Sequence, residues 1–210
     1  MCSTRRRYSW RDLDISHGDP ETFDYPLTSM FIPTTPTHFR QQRSAREVRN
    51  IVIHITGGHN ISSAVHGFRG SRVASIHYIV DRDGSVIQMV REQDIAFHAG
   101  GNRINGASIG VEHVNAWNGE SHETPTQIQY ESSARLVKYL CLKYDIPIQH
   151  DINGNGIWGH CEANPETTHA ACPNAAWDWN LYCRLVNQAS VIESFNDMIE
   201  SLTHLNTTSP

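Results

Sequence analysis

The run Asn50-Ile51-Val52-Ile53-His54-Ile55 constrains this chain more than any other stretch. Its apolar, β-branched residues occupy successive positions, so both faces of the strand they form must be covered. Thr56-Gly57-Gly58 then closes it as a turn. Two further β-rich runs, 75–80 and 85–90, flank Asp81-Arg82-Asp83-Gly84, which predicts a hairpin. The spacing predicts another strand over 108–114, with alternating faces, and a short one over 157–160. Apolar residues at Ile128, Leu136, Val137, Leu140 and Leu142 predict a helix from Thr126 to Tyr144. A shorter helix is predicted from His59 to Gly67, starting near Asn60 or Ser62, and a long one from Trp179 to Leu202. The fold class is therefore α/β, a mixed central β-sheet flanked by helices. Residues 1–45 carry Pro20, Pro26, Pro33 and Pro36 without sustained periodicity and read as an irregular N-terminal arm. Residues 46–205 are expected to form the folded domain, and 206–210 a disordered tail.

Charge and composition narrow the function classes. With 17 Lys and Arg against 22 Asp and Glu, the net charge is −5, and only Arg5 to Arg7 form a basic run. Nucleic-acid binding, which draws affinity from clustered cations on phosphates, is not expected. No run reaches 18 uninterrupted apolar residues, so no membrane span is expected. The first 30 residues lack an apolar signal core, so the chain as given carries no recognisable export signal. Five scattered cysteines do not make a paired disulfide framework, so at least one thiol is expected free, buried or metal-bound. A monomer is expected.

Three separated residues have the chemistry of a metal site. His54 lies in an apolar strand, where an imidazole needs a partner. His160 ends a second strand candidate, and Cys172 follows 12 residues later in Ala171-Cys172-Pro173. Two imidazoles and a thiolate fill three tetrahedral positions and leave the fourth for water, as in a catalytic zinc site. The same letters also describe core histidines and a buried structural thiol. Cys161 is a rival thiol, which strand alternation turns away from the face of His160. Separately, the stretch from Asp151 to Glu162 matches a calcium-loop template, D-x-[DN]-x-[DN]-G-x₅-E. That template needs flanking helices, and an Asn/Gly-rich loop entering a strand explains the same residues, so Ca2+ is carried only as an alternative second ion.

Short motifs then recur in a specific order: IVIHIT at 51–56, VASIHYIVDRDG at 73–84, FHAG at 97–100, NGASIGVE at 105–112, GH at 159–160, and CP with WDW at 172–179. In this order, from about Arg49 to Trp179, the chain resembles the type 2 N-acetylmuramoyl-L-alanine amidases. That group includes phage lysozyme-type amidases and peptidoglycan recognition proteins. The resemblance implies the amidase/peptidoglycan-recognition-protein-like fold, with 46–205 as a zinc amidase catalytic domain. It implies hydrolysis of the bond between N-acetylmuramic acid and L-alanine in peptidoglycan or muropeptides, with one Zn2+ on His54, His160 and Cys172. Glu112 matches the family's general base. His98 and Asn105 match positions lining the substrate groove, and His77 matches a strand histidine near the site that equally fits packing beneath it.

The chain departs from the family at one position. A cation, often Lys, usually stands two residues before the third ligand, and here Ala170 fills that place. His169 is the candidate replacement donor, or an exposed loop histidine. A non-catalytic peptidoglycan-binding module is the alternative reading, although retention of three ligands plus Glu112 favours an enzyme. A metal-free structural component with a vestigial amidase fold would need none of those four residues. Phage release, delivery, export by other means and cytoplasmic recycling all fit the chain as given.

Overall fold

A computed structural model describes residues 23–43, 48–58, 60–115, 123–174 and 176–190. Strand β3 (Asn50–Ile55) is buried at all six positions. It runs parallel to β7 (Ser108–His113) on one side and β8 (Gly156–Gly159) on the other. Beyond β7 lies β4 (Tyr78–Val80), also parallel, and then β5 (Val86–Gln88), antiparallel to β4. Strand β1 (Met30–Phe31) closes that edge in parallel with β5, giving the order β1-β5-β4-β7-β3-β8. A separate ribbon pairs β2 (Phe39–Arg40) with β6 (Ile95–Ala96).

Helices cover both faces, as a strand without a polar face requires. On one side Ile51, Ile53, Ile109 and Val111 pack against Leu136, Val137 and Leu140 of α3 (Gln127–Lys143). Tyr182 and Val186 of α5 (Trp179–Gln188) complete that cluster. On the other side Ile79 and Ile87 meet Ile61, Ala64 and Val65 of α1 (Ile61–Arg69). Each of the Ile, Leu and Val side chains among them contributes roughly 1.5–3 kcal/mol on burial. The helix starts are chemically marked. The side chains of Asn60, Thr126 and Asp178 accept the N–H groups of Ser63, Gln129 and Leu181, satisfying donors that the first turn leaves unpaired. The hairpin turn ends at Gly84, whose φ of +87° favours glycine and where a Cβ would lie 2.7 Å from Ser132 Oγ.

Two expectations need correction. The C-terminal helix stops at Gln188, because Ala189 turns to ψ 131°. Within α5 only Tyr182 and Val186 are buried. Residues 191–210, including the expected 206–210 tail, lie outside the described residues. Part of the arm is regular: residues 30–31 extend the sheet edge, and residues 39–40 pair with β6.

The arm is anchored beneath the sheet by Arg43. Its guanidinium donates to the carbonyls of Glu92, Gly106 and Ser108, at 2.7, 3.1 and 2.8 Å, and more weakly to that of Asn105. It also lies 2.8 Å from Nε2 of His77. Burial pulls its pKa down to about 10, so it stays charged while its donors are taken up by carbonyls. Replacing it strands several buried acceptors. Arg43→Met is expected to lower unfolding free energy by about 2–4 kcal/mol, read from urea denaturation midpoints, with the m-value unchanged.

Candidate active site

The carboxyl ends of parallel strands β3, β7 and β8 meet at one cleft, where open α/β sheets characteristically bind ligands. In the β3–β7 register His54 pairs with Glu112, so the two side chains emerge side by side. Alternation puts Ser108, Gly110 and Glu112 on that face of β7, and sends Ile109, Val111 and His113 to the opposite one. His160 is the first residue of α4 (His160–Ala163), immediately past β8. The side chain of Glu162 holds this junction by accepting the N–H of Gly159 at 2.6 Å. The loop after α4 returns Cys172 to the end of β3, where the N–H of Ile55 reaches its Sγ at 3.3 Å.

Among the described residues, the ligand atoms of His54, His160 and Cys172 lie within 4.8 Å of one another, and all three side chains are buried. Metal–nitrogen bonds of about 2.0–2.1 Å and a metal–sulfur bond of about 2.3 Å can share one centre across such separations. The electrostatics also suit a cation. Burial holds the pKa of His54 well below the usual histidine value, and that of His160 down to about 4, so both rings stay neutral with a lone pair to give. Burial likewise raises the Cys172 thiol, with the Glu112 charge adding to the effect. Two neutral imidazoles with a soft sulfur fit a zinc-type ion.

Glu112 completes the cluster. Glu112 is 7 % exposed and lines the cleft, and burial alone pushes its carboxyl up to about 8. The cleft measures about 1190 Å³ and is walled in part by Phe68, Arg72, Val73 and Phe97. Cys161, the rival thiol, lies outside the three-ligand cluster. Strand alternation does not separate the two, because His160 and Cys161 are both helical. What separates them is the roughly 100° step between neighbours on a helix. The backbone N–H of Cys161 donates to the carbonyl of Cys172 at 2.8 Å, which ties down the returning loop.

The other expected residues divide. His98 and Asn105 line the cleft, and Asn105 Oδ1 accepts the N–H groups of His98 and Ala99. His169 stands exposed on the rim, its ring 5.6 Å from that of His160. His77 does not reach the cleft. It is fully buried, its Nδ1 accepts the N–H of Gly110 at 3.0 Å, and its Nε2 faces Arg43 and the carbonyl of Asp94. A substrate-contact role for His77 is therefore replaced by packing beneath the site. The calcium-loop template lacks its entering helix, because α3 ends at Lys143 and residues 144–150 are not helical. Residues 156–159 form β8 rather than ion-binding loop, Asp151 Oδ1 accepts the N–H of Asn153, and Glu162 is held by Gly159, His150 and Asn174.

Sequence reasoning missed Ser108 and Gly110, which share the Glu112 face, although the i, i+2, i+4 spacing marks them. It also missed the support behind the sheet. His113 Nδ1 donates to the carbonyl of His54 at 3.0 Å, while its Nε2 lies 2.7 Å from Ser133 Oγ, itself 2.6 Å from the Tyr182 hydroxyl. Residues so far apart in sequence carry no shared local signal.

The family of N-acetylmuramoyl-L-alanine amidases (Amidase_2) matches residues 44–175, well over half of the chain and every residue of the cluster. The chain belongs to this family. Among curated relatives, the 1,6-anhydro-N-acetylmuramyl-L-alanine amidase AmpD of Citrobacter freundii is 30% identical over 122 residues, covering 55% of this chain. The AmpD of Haemophilus influenzae is 28% identical over 114 residues. The chain spans 59% of the Citrobacter relative's length and 56% of the Haemophilus relative's. A solved AmpD derivative superposes with a TM-score of 0.58 at 24% identity, covering 79% of this chain and 99% of that one. The amidase LysC of Clostridium intestinale gives 0.55 at 20% identity, covering 75% and 95%. These likenesses establish the amidase-family fold.

One pH dependence follows from the support behind this amidase-family site. Burial lowers His113 to about 4, against 6.5 for a free ring. Above pH 6.5 the ring is neutral whether the chain is folded or unfolded. As pH falls from 6.5 to about 4 only the unfolded chain takes up the proton, and stability drops by about 1.4 kcal/mol per unit. The loss over that window is on the order of 3 kcal/mol. Urea unfolding of the metal-free protein at pH 7 and pH 4.5 checks this, and His113→Gln is expected to show a shallower decline.

Proposed function

We propose that this chain is a zinc-dependent N-acetylmuramoyl-L-alanine amidase, hydrolysing the amide bond between N-acetylmuramic acid and L-alanine in peptidoglycan or muropeptides. The observation that carries this reading is the convergence of His54, His160 and Cys172 beside Glu112 in one cleft. When bound, zinc supplies Lewis acidity to the attacking water and to the scissile carbonyl. Glu112 accepts the proton of that water and delivers it to the departing alanine nitrogen. The products are the lactyl carboxylate and a free stem peptide. A carboxyl raised toward neutrality by burial is well matched to both transfers. His169, on the rim beside His160, donates to the carbonyl oxygen in place of the missing cation at Ala170. His98 and Asn105 line the wall that receives substrate.

Ala170 is also what favours the rival reading, a recognition module that binds muropeptide without cutting it. One experiment separates them. Purified peptidoglycan is digested with and without a chelator, and the products are analysed by mass spectrometry. Stem peptides beginning with L-alanine are expected, and are expected to disappear when metal is stripped. Activity that survives complete metal removal would overturn the zinc mechanism, and intact glycan–peptide junctions would favour the recognition module. For the proton transfers, Glu112→Gln is expected to keep zinc stoichiometry and fold while kcat falls about 10²–10⁴-fold. Unchanged turnover rejects Glu112 as the base. Among the described residues no helix is long and apolar enough to cross a membrane.

A further inference from the structure

The rings around His54 form a directed chain of hydrogen bonds. Ser108 Oγ donates to the carbonyl of Ile104 at 2.7 Å, and that carbonyl can only accept. The hydroxyl has a single proton, so toward the ring of His98, 3.2 Å away at Nε2, Ser108 Oγ can only accept. Nε2 of His98 must therefore carry a proton. The ring of His98 is buried beside those of His54 and His77, with centroids 5.2 and 5.7 Å away. A neutral ring protonated on Nε2 bears its lone pair on Nδ1. That nitrogen lies 3.0 Å from His54 Nε2, which must then donate. The lone pair of His54 is left on Nδ1.

We propose that Ser108 and His98 are positioning residues that lock His54 in its Nε2–H tautomer and so keep Nδ1 as the electron-pair donor for the metal. This rests on the zinc reading of the site. It also changes the part played by His98, from a groove wall alone to a group acting through His54, as hydrogen-bonded partners of metal-bound histidines do. Gly110 is the third component. A Cβ there would lie 2.7 Å from His98 Cγ and 2.8 Å from its Nδ1, so only glycine lets the ring settle against β7 beside His54. Ser108 and Gly110 thus serve the ring of His98 from the same strand face that presents Glu112.

The test begins without metal. In histidine-15N-labelled apoprotein, long-range 1H–15N spectra report which nitrogen of each neutral ring is protonated, and the His54 signals are assigned by their loss in His54→Gln. The expected result is Nε2 protonated and Nδ1 bare in the wild type, with the two forms mixing in Ser108→Ala. A wild-type His54 protonated on Nδ1 overturns the proposal. Affinity is then read from the Co2+–thiolate absorption band. His98→Leu is expected to weaken Co2+ binding about 10–100-fold. His98→Asn, whose amide oxygen stands near the place of Nδ1, is expected to recover most of that loss. Equal affinities in the wild type, His98→Leu and His98→Asn likewise overturn it. If the wild type shows the expected tautomer yet binds neither Co2+ nor Zn2+, the zinc reading fails and the hydrogen-bond relay stands.

Discussion

The parallel pairing of β3 with β7 is the contact on which the rest of this molecule depends. It sets His54 beside Glu112, and it seals Ile51, Ile53, Ile109 and Val111 against α3 and α5. A slip of one residue would reverse every side chain of β3 across the sheet, placing an imidazole in the apolar layer and an isoleucine in the cleft. Core and chemistry are therefore specified by one register. The same geometry explains why the site lies at the carboxyl ends of β3, β7 and β8, where loops leave the sheet and can return a distant residue such as Cys172.

Desolvation gives the cleft its chemical character. A single physical cause lowers the histidines and raises the glutamate: charge is disfavoured where water is excluded. Neutral rings are what a cation requires of imidazole ligands, and a carboxyl near neutrality is what reversible proton transfer requires. The sheet does more than hold these groups apart from solvent. From behind, His113, Ser133 and Tyr182 brace the carbonyl of His54. From the front, His98 and Ser108 address its ring. Arg43 gathers the carbonyls of residues 105, 106 and 108 from below, so part of the N-terminal arm supports the site.

Much of this was legible in advance, for reasons that differ between residues. β3, β7 and α3 announce themselves by apolar spacing, and α1 by a polar start at Asn60 or Ser62, which are local signals. His54, His160, Cys172 and Glu112 were legible through the order of their motifs, since no local rule joins residues more than a hundred positions apart. His77 carried two readings in its motif, and just before β4 it is fully buried, with Arg43 at its Nε2 and the N–H of Gly110 at its Nδ1. The Asp151–Glu162 stretch was ambiguous because a calcium loop and a turn entering a strand use the same residues. In the structure no helix enters the stretch, and its second half pairs with β3 as β8.

By itself, then, the sequence determined the α/β class, the positions of most strands and helices, and the residue types available for chemistry. All of these follow from periodicity, capping and turn preferences within a few neighbouring residues. Only the tertiary structure decided which histidines meet, which ring nitrogen each neighbour engages, and how far burial moves their proton affinities. Those properties depend on distances between residues 54, 98, 108, 112, 160 and 172. Such distances exist only after the sheet has closed and water has been expelled from around them.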